Sequence, residues 1–339
     1  MGRVMFSIII PVRDISDYLI SETLPALERQ TFDSFEVIIL SDHRLKKTRE
    51  LTKTYPWLRI RSTQTVILPS EKRNRGYRIS KGDILVFMDD DAYPPKDWLS
   101  QAHRLFSRKK IDAMCGPGVL PLQAKFSEKV FDQVLQTTIG SGLYTYRFTE
   151  ESARYVDDYP TMNFFIKRKL FKKIGGFREH YWPGEDSKLC NEITYIAKES
   201  ILYSPRLVVF HHRKKNLVEF LKQHARYGFH RGVFFIQGDE NSQKIIYLIP
   251  TLLVVYLILF TMLVFFKSSG NIQTYLLIPL YTYLLANIYI FFKSFFITDN
   301  LIIPFGTVLT MVLMHITYGI SFSYGFTKGI LEKNHDKKS

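Results

Sequence analysis

The chain has 339 residues and a formal net charge of +14, from 46 lysines and arginines against 32 aspartates and glutamates. That length allows one large domain or two smaller ones, and that charge asks for an anionic partner: a phosphorylated substrate, an acidic membrane surface or nucleic acid. The two cysteines, Cys115 and Cys190, exclude a disulfide framework, show no metal-ligand spacing and read as reduced core thiols.

Charges are common up to about position 240 and long uncharged runs dominate after it, which favours membrane and phosphate as partners and leaves nucleic acid unexpected. No signal peptide is expected, because Phe6 to Val12 is too short, lacks a cleavage site and leads straight into strand-like sequence. Gly2 is not a myristoylation site, since Phe6 stands where Ser or Thr is needed.

Phe6-Ser7-Ile8-Ile9-Ile10-Pro11-Val12 reads as a buried strand stopped by Pro11, and Asp17 to Gln30 as a helix with Tyr18, Leu19, Leu24 and Leu27 apolar. Phe35 to Leu40 is a second strand, ending on Ser41-Asp42. A basic helical piece runs to about Tyr55, a third strand lies within Leu58 to Val66, and a helix covers about Ser70 to Ile79. Asp83-Ile84-Leu85-Val86-Phe87-Met88 then forms another strand buried on both faces. Strands alternating with helices imply an α/β fold with a mostly parallel, doubly wound sheet. There is no Walker-type loop and no Gly-x-Gly-x-x-Gly.

Asp89, Asp90 and Asp91 follow that last strand without a break. Adjacent carboxylates repel one another, so the triplet is either a solvated acidic turn or a site for Mg²⁺ or Mn²⁺, which take oxygen ligands and leave positions open for phosphate. The carboxyl ends of strands in open α/β sheets are also where ligands bind. Glu71-Lys72-Arg73-Asn74-Arg75-Gly76 brings three cations near it, either as a solvated helix face or as a diphosphate grip.

Gly116 to Pro160 suits a substrate-side lobe, with Ile139-Gly140-Ser141-Gly142 as its mobile point. Pro160 to Arg168 reads as a strand running into a helix, Gly175-Gly176-Phe177 as a turn, and Trp182-Pro183-Gly184-Glu185-Asp186 as the start of another helix. There Glu185 and Asp186 are either capping residues or functional carboxylates. Leu207 to Phe210 is a final short strand ending on His211-His212, adjacent residues that point apart, so at most one is a ligand.

Leu217 to Ile236 carries Leu217, Phe220, Leu221 and His224 on one helical face and Lys222 and Arg226 on another, as in an amphipathic helix at an acidic lipid interface or a simple basic anchor. Ile245 to Phe266, Ile272 to Phe292 and Leu301 to Phe326 are three runs long enough to cross a bilayer core of about 30 Å. The basic N-terminal part then faces the cytosol. Three crossings would put the Lys-rich tail, Lys328 to Lys337, outside. Either the last segment lies in the interface or re-enters, or the positive-inside rule fails here.

In this order, Ser7-Ile8-Ile9-Ile10-Pro11, Ser41-Asp42, Arg73-Asn74-Arg75-Gly76, Asp89-Asp90-Asp91, Gly175-Gly176-Phe177, Glu185-Asp186 and Gln223-His224-Ala225-Arg226-Tyr227 resemble glycosyltransferase family 2, of the GT-A fold. The likeness is greatest to membrane-anchored members of polysaccharide and lipid-linked glycan assembly, succinoglycan glucosyltransferases among them. It implies a cytosolic catalytic domain over 1–212, an interface helix region over 213–240, transmembrane helices over 241–327 and a polar tail. By the same resemblance Pro11, Arg13 and Asp42 line the nucleobase pocket, and Arg73, Asn74, Asp89 and Asp90 contact the donor. Asp89 and Asp91 form an Asp-x-Asp signature holding Mn²⁺ or Mg²⁺, with His211 or His212 as a further ligand. Asp186, beside Glu185, is the catalytic base. Gln223, Arg226 and Tyr227 match the Gln-x-x-Arg-Trp signature of processive synthases, where Gln223 and Arg226 would grip the donor diphosphate. Tyr227 replaces the Trp and, with Trp182, would face the acceptor.

The chemistry is coherent with those residues. A cation can neutralise the leaving diphosphate, while one carboxylate deprotonates an acceptor hydroxyl, which means direct displacement with inversion. The expected reaction moves a sugar from a nucleotide sugar, UDP-linked by preference, to a membrane lipid-linked saccharide in cell-surface glycan assembly. Transfer to a polyprenyl phosphate, processive synthesis, and a non-catalytic sugar-nucleotide or glycan-binding subunit are the alternatives.

Overall fold

A computed structural model describes residues 5–336 apart from 46, 109, 180, 182, 266–271 and 299. Trp182 and Lys337 therefore lie outside the described residues. The chain forms two compact units: Met1–Pro121 with Tyr146–His212, and Leu122–Thr145 with Arg213–Ser339.

In chain order the first elements are β1 (Phe6–Pro11), α1 (Leu24–Glu28), β2 (Phe35–Ser41), α2 (Thr48–Thr54), β3 (Leu58–Ser62), α3 (Pro69–Ile79) and β4 (Ile84–Met88). Next come β5 (Ala92–Tyr93), α4 (Trp98–Arg108), β6 (Ala113–Cys115), β7 (Gly118–Val119), α5 (Phe126–Leu135) and α6 (Thr138–Ser141). They are followed by β8 (Arg154–Val156), β9 (Asn163–Lys167), α7 (Arg168–Lys173), α8 (Glu185–Asn191), β10 (Ile201–Tyr203) and β11 (Val209–His211). The chain ends with α9 (Leu217–Gln237), α10 (Ile249–Phe265), α11 (Ile272–Thr298) and α12 (Ile302–Asp336).

In the first unit the large sheet has the order β3-β2-β1-β4-β9-β6-β10-β8. Ile, Val and Phe runs make β1 and β4 its central strands, and both are buried on the two faces. β3, β2, β1 and β4 are parallel, whereas β9 runs antiparallel between β4 and β6. After β1 the chain moves outward through β2 and β3, then returns to β4 on the other side of β1. This reversal opens a crevice at the carboxyl ends of β1 and β4. A second sheet, β5-β11-β7, sets His211 opposite Ala92. Trp98, Phe165 and Phe6 pack in the core beneath, with ring centroids 4.9 and 6.2 Å apart. Cys115 and Cys190 are both free and buried.

Three expected elements differ in extent. The helix read over Asp17 to Gln30 is a single π-helical turn, Leu19–Thr23, running into α1. Pro25, near its start, has no N–H to continue an α-ladder. The strand read within Leu58 to Val66 stops at Ser62, and the last strand starts at Val209, because Pro205–Leu207 form a 3₁₀ turn. Within the long stretch read as a substrate lobe, Leu122–Thr145 belongs to the second unit. Its presumed mobile point lies largely in α6, where Thr137 accepts a hydrogen bond from the Gly140 N–H at 2.9 Å.

In the second unit α5 is pinned to the start of α9 by buried charges. Arg213 donates to Asp132 at 2.7 and 2.9 Å, and its backbone N–H donates to Glu128 at 3.0 Å. Phe131 stacks on Phe220 with centroids 4.6 Å apart. Helices α9 and α12 pack backbone to backbone through glycines. A methyl group on Gly232 would run into the carbonyl of Phe322, and one on Gly325 into that of Phe229.

Of the three runs expected to cross a membrane, two form helices long and apolar enough among the described residues, Tyr275–Thr298 and Ile302–Asn334. The first run is broken by a 3₁₀ turn at Ile245–Tyr247, which leaves the 17-residue α10.

Candidate active site

The acidic triplet emerges at the carboxyl end of β4, on the crevice. Asp91 Oδ1 lies 3.1 Å from His211 Nε2, which β11 presents through its pairing with β5. One ligand atom each from Asp89, Asp91 and His211 falls within 4.8 Å of the others. Two carboxylates and an imidazole fit a divalent cation, and the nitrogen ligand suits Mn²⁺ better than Mg²⁺. Asp90 is pushed up to about 6 by burial and then by the charge of Asp91.

His212, the other histidine considered as a ligand, points away, as strand alternation requires. Its ring stacks on Tyr18 at 3.9 Å, and its Nε2 lies 2.8 Å from Glu22 Oε2. Its backbone N–H donates to the Asp91 carbonyl at 3.1 Å. The π-helical turn supports the same region from below. Thr23 Oγ1 donates to the carbonyl of Ala92 at 2.9 Å, and Ser16 Oγ to that of Asp90 at 3.2 Å.

Arg73, buried on α3, joins the triplet to the second acidic pair. One of its terminal nitrogens donates to Asp89 at 3.1 Å and the other to Glu185 at 2.9 Å; the latter is 3.9 Å from Asp186. Thr161 Oγ donates to Asp186 Oδ1 at 2.6 Å. The two carboxylates differ in access: the Glu185 side chain is 6% exposed and that of Asp186 27%. Burial, and then the charge of Asp186, push Glu185 up to about 7, with Arg73 opposing. Burial also raises Asp186, against the pull of Arg73. Asn74 accepts from the Phe177 N–H at 2.9 Å and donates to the Phe177 carbonyl at 2.9 Å. It thereby fixes the Gly175-Gly176 turn, whose φ values of +79° and +81° suit glycine. Arg73 thus contacts the acidic pair directly, whereas Asn74 is paired with the Phe177 backbone and Glu179.

On the other side of the crevice Lys72 Nζ pairs with Asp42 at 2.6 Å and donates to the Val12 carbonyl at 2.7 Å, which ties together the ends of β1 and β2. Pro11 is half-buried and Arg13 is exposed beside it. Gln223, Arg226 and Tyr227 belong to α9 in the second unit, where Gln223 donates to the Tyr227 hydroxyl at 2.7 Å. Sequence reasoning left out Glu22, Thr23 and Thr161, which carry no motif. Lys72, one of the three cations of the Glu71–Gly76 stretch, pairs with Asp42 and the Val12 carbonyl, a role that no motif marks.

Residues 7–175 match the profile of Glycosyl transferase family 2. Among curated proteins, the chain is 25% identical over 223 residues to the O-antigen chain rhamnosyltransferase WbaN of Salmonella anatum, covering 59% of this chain and 66% of that one. It is 32% identical over 114 residues to the amylovoran biosynthesis glycosyltransferase AmsB of Erwinia amylovora, covering 32% of this chain and 38% of that one. These matches span just under two thirds of the first relative and well under half of the second. A dolichyl N-acetyl-alpha-D-glucosaminyl phosphate 3-beta-D-2,3-diacetamido-2,3-dideoxy-beta-D-glucuronosyltransferase of Methanococcus voltae is 24% identical over 261 residues, 72% of this chain and 77% of that one. In fold, the chain is similar to the mannosyltransferase PcManGT of Pyrobaculum calidifontis, solved with GDP-Man and Mn²⁺. The TM-score is 0.65 at 16% identity, over 95% of this chain and 88% of that one.

Proposed function

Since residues 7–175 match the Glycosyl transferase family 2 profile, we propose that the protein is an inverting, metal-dependent glycosyltransferase that moves a sugar from a nucleotide donor to a hydroxyl of a lipid-linked saccharide. The observation that carries this is the Arg73 bridge, which couples a three-ligand cluster to a single accessible carboxylate. A cation held by Asp89, Asp91 and His211, with Mn²⁺ the better match, would neutralise charge on the departing diphosphate.

Asp186 takes the proton of the acceptor hydroxyl. Thr161 donates to one of its oxygens and so helps orient the carboxylate. Arg73 opposes the upward push that burial gives Asp186, and it also donates to Glu185. One base on the face opposite the leaving group, with no second carboxylate needed as nucleophile, gives direct displacement with inversion. Asp42, Pro11 and Arg13 border the nucleobase pocket, and UDP remains the preferred nucleotide. The Salmonella and Methanococcus relatives, named for O-antigen and dolichyl-linked products, support a lipid-linked acceptor and a role in cell-surface glycan assembly. The narrower likeness to succinoglycan glucosyltransferases rests on motif order. Gln223, Arg226 and Tyr227 keep the donor and acceptor roles that the Gln-x-x-Arg-Trp motif implies. The enzyme is held at the cell membrane with its catalytic unit towards the cytosol.

The test is nucleoside diphosphate release by the full chain in detergent, with UDP-, GDP- and dTDP-sugars, lipid extract and Mn²⁺. Lipid-stimulated release from one donor is expected to fall about 10²–10⁴-fold in Asp186→Asn, the range for a lost general base. Mn²⁺ binding should survive in that variant and be lost in Asp91→Ala. Full activity in both variants would refute these roles.

A further inference from the structure

We infer that α12, although long and apolar enough to cross a bilayer, does not cross it. In this reading α9 and α12 form a two-helix platform on an acidic lipid surface, and α10 and α11 are a hairpin that enters and leaves the membrane on the platform's side. The inference rests on the membrane reading above and adds a topology to it.

The first observation is coverage. The apolar window of α12 is 44% buried by protein and that of α11 11%, while α10 has no buried residue at all. A lipid-facing helix keeps its apolar surface for lipid, as α10 and α11 do.

The second is what covers α12. Helix α9 carries Glu219, Lys222, Arg226 and Arg231 within 21 residues, too many charges for a crossing segment. Such a helix lies in the interface. The two helices run parallel, with Gly228 against Tyr318, Gly232 against Phe322 and Val233 against Gly329. At the far end Lys333 Nζ donates to the Ile236 carbonyl at 3.1 Å, and Lys328 stands 5.4 Å over the Phe229 ring. Helices packed backbone to backbone over this length share one depth, so α12 lies where α9 lies.

The amino-terminal half of α12 is tied to polar elements too. Gly306 abuts Val130 of α5, the helix whose Glu128 and Asp132 are paired with Arg213. His315 Nε2 lies 3.0 Å from the Ile139 carbonyl.

Both ends of the hairpin return to this platform. At its entrance Thr251 donates to the Gly319 carbonyl at 3.3 Å; at its exit the Phe291 and Phe305 rings stand 4.8 Å apart. Between the legs the Tyr256 hydroxyl donates to the Leu276 carbonyl at 2.6 Å, which brings α10 and α11 together. The 17 residues of α10 are the lower limit for a crossing; with α11 as the second leg, two crossings leave Lys328 and Lys333 on the side of Lys222, Arg226 and Arg231, where one acidic leaflet attracts them all.

The test labels two single substitutions at exposed positions, Lys215→Cys before α9 and Asn334→Cys near the end of α12, with a membrane-impermeant maleimide. Sealed inside-out and right-side-out vesicles are compared. The native Cys115 and Cys190 are buried and do not compete in the folded protein. Labelling of both positions from the same side, and protection of both from the other, is the expected result. Labelling from opposite sides would mean that α12 crosses, and labelling of both from either side would mean that no hairpin is inserted; each overturns the inference. Nucleoside diphosphate release from the same vesicles reports on sugar transfer separately, so either reading can fail alone.

Discussion

Glu22 touches neither the acidic triplet nor the second acidic pair, yet it fixes the strand that presents His211. Its carboxylate holds the His212 ring while the His212 backbone holds Asp91. Loss of such outer support costs metal sites about 10–100-fold in affinity, and we expect Glu22→Ala to weaken Mn²⁺ binding to that degree. Titration of free Mn²⁺ by electron paramagnetic resonance measures it; unchanged affinity would mean that pairing with β5 alone holds His211. Glu185 makes a different forecast. Its folded value of about 7 stands above the ordinary 4.5, so in that window the folded chain keeps a proton that the unfolded chain has released. The stability this gives is full below pH 4.5 and is lost as pH rises through 7. Metal-free protein should therefore melt lower at pH 8 than at pH 5, and Glu185→Gln should flatten the difference; an unaltered slope would place the proton elsewhere. The triplet and the Glu185-Asp186 pair were legible because adjacent carboxylates make poor structural residues. Glu22 and Thr161 were not, since only the folded chain brings them to their partners His212 and Asp186, 190 and 25 residues away.

At the level of elements, runs of Val, Ile and Phe identified β1, β2 and β4, and their parallel direction followed from alternation with helices. The place of β9 did not. A buried run reads the same whether its partners are parallel or antiparallel, and β9 meets β4 and β6 across long stretches of chain. Nor did the glycines of α9 announce their purpose, because a small residue in an amphipathic helix is silent until a second backbone closes on it. Gly232 offers a direct check. A leucine there would collide with the backbone of α12, and overpacking of this kind costs about 1–3 kcal/mol or more. Gly232→Leu should lower the melting temperature and broaden the elution profile in detergent while Mn²⁺ affinity stays unchanged. A wild-type melt would mean that the two helices can separate at little cost.

For the molecule as a whole, the division between a charged first part and an apolar last part was plain from composition. The membership of Leu122–Thr145 was not, because its partners come much later in the chain. That membership governs how the protein is made. The acidic side chain of Asp132 leaves the ribosome 81 residues before Arg213, and Thr137 174 residues before Met311. At roughly 5–20 residues per second these gaps are waits of about 4–16 s and about 9–35 s. Throughout that interval the first unit is largely synthesised while α5 hangs from its middle with neither its counter-charge nor its apolar seat. Nascent chains paused between positions 140 and 213 are thus the ones that depend most on a chaperone or on early membrane targeting.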